Sequence, residues 1–385
     1  MEEKHFMRAQ VLAFRLIGVD LWNATSTTDR WHILLLLISA STTFVGPLCL
    51  AIRYNLNDMG MISDIIASAI AVILGIIKCI LFLYHRKQFV QLIYRIRGIF
   101  KKEIEICPEA ATIVDAEIRS DQLLSFTYMR WFNTFVILSL IKPIVIMVMT
   151  RLRTGLVHLE LPYSGAYPWS YQSVLAYIPT CIWNVLAGYG TMCMTVAMDT
   201  LLFAFSFQVC ALFKIAQHRI RQLVPQTDAP QQELREMKQV LHLHQTALMI
   251  ATQLGNDLRP IVLMQFFTNV LQLSFVTYQV ANLFPSPDGI SFMFFLGSVL
   301  IAVFIYSHCG ENIQQASEDF ATAAYDSNWV DFAPATRHAL ILSIRRAQLP
   351  CQLDGYFFKP NMATFSAVVR SAMSYLMMLR SFMDQ

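Results

Sequence analysis

The chain has 385 residues, 56% of them hydrophobic and 14% charged, against roughly one-quarter charged in a globular domain. A formal charge of +3 offers no basic field for nucleic acid, and the apolar excess assigns the protein to the membrane. Where the few charges fall is therefore the informative question.

Residues 1–30 read as a cytoplasmic N-terminal segment: Met1 to Phe6 mixes charges, Arg15 interrupts the apolar run from Val11 to Ile17, and no cleavable signal is expected. Asn23, Ala24 and Thr25 fit a glycosylation acceptor that is expected to stay unused. A first apolar run covers Trp31 to Ile52, with a short loop from Arg53 to Met59. A second covers Met61 to Tyr84 and carries Lys78 and Cys79 near its end. From His85 to Gln122 the chain turns polar. Arg86, Lys87, Arg95, Arg97, Lys101 and Lys102 form its densest basic cluster, a solvated marker of the cytoplasmic side. Leu92, Ile93, Ile96, Ile99 and Phe100 recur near helical spacing, which predicts helical extensions beyond the membrane. The third run, Leu123 to Thr150, is interrupted by Lys142 and Pro143. A proline bends a helix and a lysine at membrane depth needs a partner, so the pair marks either a ligand cavity or a kinked helix with a snorkelling lysine. An aromatic, turn-rich loop follows, including Pro162, Tyr163, Tyr167 and Trp169.

The fourth run stays apolar from Tyr171 to Phe213, about twice the ~20 residues needed to span a bilayer, so it must continue well past it. Residues 31–213 thus hold helices one to four with their extensions, and 214–255 form a short cytoplasmic segment. His242 and His244 there lie two apart, on different helix faces, and make no metal site. Residues 256–328 hold helix five, Ile261 to Phe284, a tight turn at Pro285 to Gly289, and helix six, which runs from Ile290 through Tyr306 into an amphipathic extension ending near Tyr325. In residues 360–385 a last helix carries Thr364, Ala367, Ser371, Ser374, Met378 and Ser381 at steps of three and four, with Phe382 completing a narrow stripe of small and polar groups. Such a stripe either packs against sister helices or lines a pore. Lysines and arginines gather on the side of the N-terminus. The expected fold is therefore an all-α membrane protein of seven transmembrane helices, with the N-terminus cytoplasmic and the C-terminus extracellular. Of the eight cysteines none falls in the long external loop, and they read as packing residues.

The stretch from Tyr306 to Glu311, then Ala323 to Tyr325, Asn328 and Trp329, Arg345 to Pro350, and the pairs Thr364-Phe365 and Ser374-Tyr375 resemble in order and spacing the C-terminal signature of the insect odorant receptors. The resemblance implies a ligand-gated, nonselective cation channel, made as a heterotetramer with co-receptor subunits and opened by a small volatile odorant, in the plasma membrane of an olfactory neuron's dendrite. The segment from Lys214 to Gly255 is short where the co-receptor carries a long insertion, so the chain resembles a ligand-specific, tuning subunit.

By the same resemblance, residues 329–350 are a cytoplasmic anchor between subunits, presenting Trp329, Phe332, Leu340, Leu342, Ile344 and Leu349. The pore is lined by Ser371, Ser374, Met378, Ser381 and Phe382; the last three occupy the gate, where the co-receptor pattern has Val, Gln and Leu. The odorant site lies in the outer half of the membrane among helices two, three, four and six. The candidates are Ile65, Ile66, Ala69 and Ile73; Phe135, Leu138, Ser139 and Lys142; Val174, Leu175, Ile178 and Ile182; and Phe295, Val299, Ala302 and Tyr306, with Ser139 and Tyr306 as hydrogen-bonding partners of the odorant. No cofactor or metal is expected. A gustatory receptor of the sister family is the alternative. A G-protein-coupled receptor is disfavoured by the charge asymmetry and by the lack of its Asp-Arg-Tyr and Asn-Pro-x-x-Tyr sequences, and an enzyme by the lack of a phosphate loop or nucleophile elbow.

Overall fold

A computed structural model describes residues 6–22, 27–47, 49–50, 59–156, 158–163, 165, 167–226 and 228–383. The Asn23 triplet and the side chains of Ser381 and Phe382 lie outside what is described.

Every regular element among the described residues is helical. In chain order they are α1 (Arg8–Leu16), α2 (Thr27–Ala40, continued by a π-helical turn over Ser41–Val45), α3 (Met59–Ile106), α4 (Ala110–Thr154), α5 (Val174–Arg221), α6 (Pro230–Leu283), α7 (Pro287–Tyr325), a 3₁₀ turn at Trp329–Asp331, α8 (Pro334–Ala347) and α9 (Met362–Met383). Five of these, α3 to α7, are long and apolar enough to cross a membrane. α2 and α9 supply the shorter segments that the sequence predicts as first and last. The protein is an all-α membrane protein of seven membrane helices, five of them strongly apolar and two shorter.

The long helices overrun the bilayer as their charge boundaries predict. α5, with 48 residues, is about 72 Å long, more than twice the ~30 Å of hydrocarbon. It is also the hub of the bundle: every residue from Val196 to Phe213 is buried. A helix buried on all sides has no need of an apolar stripe, which is why its sequence shows none. α3, α4, α6 and α7 surround it, and α1 fills a further groove, inserting Phe14 against Phe82 of α3 with ring centroids 4.9 Å apart.

Two features depart from the sequence reading. Pro143 does not divide the third run, because α4 continues through it unbroken to Thr154. Arg86 is no solvated marker: it is buried and pairs with Asp29 at 2.6 Å, pinning the start of α2 to α3. Elsewhere the charged extensions are cross-braced, with Arg219 of α5 2.7 Å from Glu103 of α3 and Lys214 2.5 Å from Glu117 of α4.

α8 is tethered through Glu233 at the start of α6. Its carboxylate accepts hydrogen bonds from the backbone N–H of Gln226 and of Ala333, at 2.9 and 3.0 Å. Burial pushes this carboxyl up, but its hydrogen bonds outweigh burial and hold it below the usual glutamate range. The link from α8 to α9 crosses α7 at Gly310, where a Cβ would collide with the backbone oxygen of Pro360. A glycine is thus required for the last helix to begin where it does.

Candidate ligand site

Within the membrane half of the bundle, α3, α4, α5, α6 and α7 enclose a cavity of about 160 Å³, more than ten times the room one water needs. Its walls are mainly apolar: Val72 from α3, Phe132, Phe135 and Val136 from α4, Phe292, Phe295, Val299 and Ala302 from α7. Over it sit Phe44 of the π-turn and Pro162 and Tyr163 of the aromatic loop. That loop is fastened to α5 by Asn184, which accepts from the Tyr163 N–H and donates to the Tyr163 carbonyl, both at 3.1 Å. Gly188 makes the approach possible, since a Cβ there would lie 2.1 Å from the Tyr163 ring. The roof is therefore held as part of the bundle.

The floor is polar. Asp199 of α5 and Tyr128 of α4 both reach the cavity. Asp199 accepts from Lys78 of α3 at 2.5 Å and from the hydroxyls of Tyr128 and Tyr306, each at 2.7 Å. Lys78 and Asp199 are fully buried, so the pair survives at this depth only because each charge is met by the other and the tyrosines fill the remaining lone pairs. At the opposite end Lys142 turns to Asp288, 3.3 Å away at the start of α7. It lines the cavity and is paired there with Asp288, and α4 runs on unbroken through Pro143 beside it.

Of the candidate contacts, Phe135, Ser139, Lys142, Phe295, Val299 and Ala302 line this cavity. The others do not. Val174, Leu175, Ile178 and Ile182 are exposed on the outward side of α5, and Leu175 is 91% exposed. The face that α5 turns to the cavity is instead Gly188, Thr191 and Thr195, whose small side chains leave room for it. On α3, Ile73 is exposed and Ile65, Ile66 and Ala69 pack outside the cavity wall, which α3 forms with Ser68, Ala71 and Val72; Leu138 of α4 is likewise off the wall. Tyr306 lies beneath the cavity and spends its hydroxyl on Asp199, so it is not free for a ligand. Ser139 lines the wall and donates to the Phe135 carbonyl at 2.9 Å.

Sequence reasoning missed Asp199 and the whole contribution of α6, where Gln265, Asn269 and Gln272 share one face on the cavity. The signal was present in both cases, as one acid in a very long apolar run and as amides recurring at steps of four and three.

The sequence model of the 7tm odorant receptor family matches residues 58–373. The chain belongs to that family. Along 99% of its length this odorant receptor is 46% identical to Odorant receptor 9a of Drosophila melanogaster, 97% of which is covered. It is 29% identical to Odorant receptor 47a of the same fly over 98% of the chain and 99% of the relative. Within the family it therefore groups with the ligand-specific receptors rather than with the co-receptor. Its fold is similar to that of the insect olfactory receptor OR5 from Machilis hrabei solved in complex with eugenol, with a TM-score of 0.81, 13% identity and 98% of each chain covered.

Proposed function

We propose that this odorant receptor is the odorant-binding subunit of a heteromeric, ligand-gated, nonselective cation channel, assembled with co-receptor subunits and depolarising the dendrite of an olfactory sensory neuron. The observation that carries the reading is the cavity: enclosed, mostly apolar, and supplied with a few fixed polar groups, which is the form expected of a site for a small volatile molecule. The state of α9 supports the channel. Ser371, Ser374 and Met378 are exposed along it, a polar and flexible face that a lone membrane helix would not turn to lipid and that a shared pore would use. The braced extensions carry the basic residues and so lie in the cytoplasm, with the N-terminus inside and the C-terminus outside.

Subunit contacts through α8 are narrower than the sequence suggests. Phe332 and Leu340 are buried in the core of their own chain and Ile344 and Trp329 are half-buried against it. Leu342 and Leu349 are exposed and available to a neighbouring subunit. Odorant-evoked current in oocytes tests the function, using this chain with an insect co-receptor, each protein alone, and a panel of small volatiles. Ligand-dependent current is expected from the pair beyond that of either protein alone; surface expression of both with no current from any volatile in the panel would overturn the channel reading.

A further inference from the structure

The polar wall contributed by α6 has chemistry left over. Gln265 and Asn269 stand one helical turn apart, are 3% and 2% exposed, and face the cavity. The Gln265 side-chain amide donates to the Asn269 side-chain carbonyl at 2.9 Å. That single bond leaves the Gln265 Oε1 acceptor and the Asn269 Nδ2 donor buried without a hydrogen-bond partner. Exchanging oxygen and nitrogen in both amides reverses the internal bond and again leaves one acceptor and one donor. Whatever the orientation, the pair offers the cavity an adjacent carbonyl oxygen and amide N–H. Two buried amides left open in this way are unfavourable unless something completes them.

We infer that Gln265 and Asn269 form a hydroxyl-reading subsite, which makes small neutral alcohols the preferred ligand class of this cavity. A hydroxyl is the smallest group that donates and accepts through one atom, so it closes both open positions at once. An ether, ester or ketone supplies an acceptor alone, and a hydrocarbon supplies neither. Acids are disfavoured because Lys142, the cation in the wall, is already held by Asp288. The rest of the wall, with Phe135 and Phe295 5.8 Å apart between centroids, buries the alkyl or aryl body. Selectivity then comes from the cost of leaving polar groups unpaired beneath an apolar ligand, which discriminates more sharply than the fit of a methylene.

The inference rests on the cavity being the ligand site, and binding separates it from channel function. Calorimetric titration of the full chain in nanodiscs with 1-hexanol, methyl pentyl ether and heptane compares ligands of equal heavy-atom count that carry donor and acceptor, acceptor alone, and neither. The alcohol is expected to bind about tenfold more tightly than heptane, with the ether between them. In Gln265→Leu/Asn269→Leu that ratio should fall close to unity, with heptane binding kept or improved. Gln265→Met/Asn269→Ala, a second pair that also removes both amides, serves the same purpose should the first double variant not fold, and is expected to lower the alcohol-to-heptane ratio equally. An alcohol-to-heptane ratio near unity in the wild type, or a ratio unchanged in a folded variant, would overturn the inference. Alcohol-selective binding without evoked current would leave it standing and count against the channel, and current without alcohol selectivity would do the reverse.

Discussion

At the scale of single residues, the lower boundary of the cavity is set by charge. Lys78 and Asp199 are each completely buried, and their separation of 2.5 Å is matched by two tyrosine hydroxyls at 2.7 Å on the same carboxylate. Removing one charge strands the other. Lys78→Met is expected to cost about 3–5 kcal/mol, read as a large drop in the thermal unfolding midpoint of the detergent-solubilised chain. Lys78→Met combined with Asp199→Leu should cost less than Lys78→Met alone, because no uncompensated charge remains; a double variant as unstable as the sum of its parts would show that the pair is not coupled. Of this constellation, Lys78 and Asp199 were each legible in the sequence as a lone charge in an apolar run, whereas their pairing was not. Nothing local distinguishes an acid that faces a lysine on another helix from one that faces water, and the pairing is made by residues 121 positions apart.

At the scale of elements, the extents of the helices were legible and their rotations were not. Charge boundaries and the lengths of the apolar runs mark where a membrane helix begins and ends, which is why α5 and α7 overrun the bilayer as expected, whereas Pro143 interrupts nothing. The face a helix turns inward is a different matter when it is apolar on all sides: Leu175 and Ile178 of α5 are as hydrophobic as any cavity residue, yet they point outward. Outside the membrane the same helices make pH-sensitive contacts. His244 of α6 stacks on Phe320 of α7 with centroids 3.8 Å apart and planes 5° from parallel. Burial, aided by nearby Arg346, pushes its imidazole down to about 4 from an ordinary 6.5. A depressed histidine favours folding while neutral. Its contribution, on the order of 3 kcal/mol, is complete above about pH 6.5 and is lost as pH falls toward 4. Melting temperatures measured from pH 7.5 down to 4.5 should therefore fall further for the wild type than for His244→Phe, which keeps the stack and removes the titration. Parallel curves for the two proteins would exclude His244 as the source.

At the scale of the whole molecule, the surfaces left uncovered are those an assembly would use. Leu342 is 55% and Leu349 68% exposed, in α8 and just after it. Leu342→Asp with Leu349→Asp should reduce co-purification with a co-receptor by about tenfold while leaving the melting temperature of the isolated chain nearly unchanged, since exposed substitutions cost little stability within a fold. A matching loss of melting temperature would instead place these leucines in intrachain packing. The stripe of small and polar residues along α9 was legible because they recur at helical spacing. The split of α8 into buried and exposed leucines was not, since apolar residues serve both purposes equally well.

α6 occupies an unusual position in this arrangement. Gln265 faces the cavity, while the very next residue, Phe266, packs against Phe358 in the strap leading to α9, 4.6 Å between centroids. Neighbouring positions on one turn thus meet the cavity on one side and the support of the last helix on the other. Under the proposed function, a substitution on this turn acts on the odorant cavity and on the footing of α9 together. Shifts in odour preference that arise here should come with shifts in sensitivity, and lineages that change diet through substitutions in α6 should carry compensating changes along the strap.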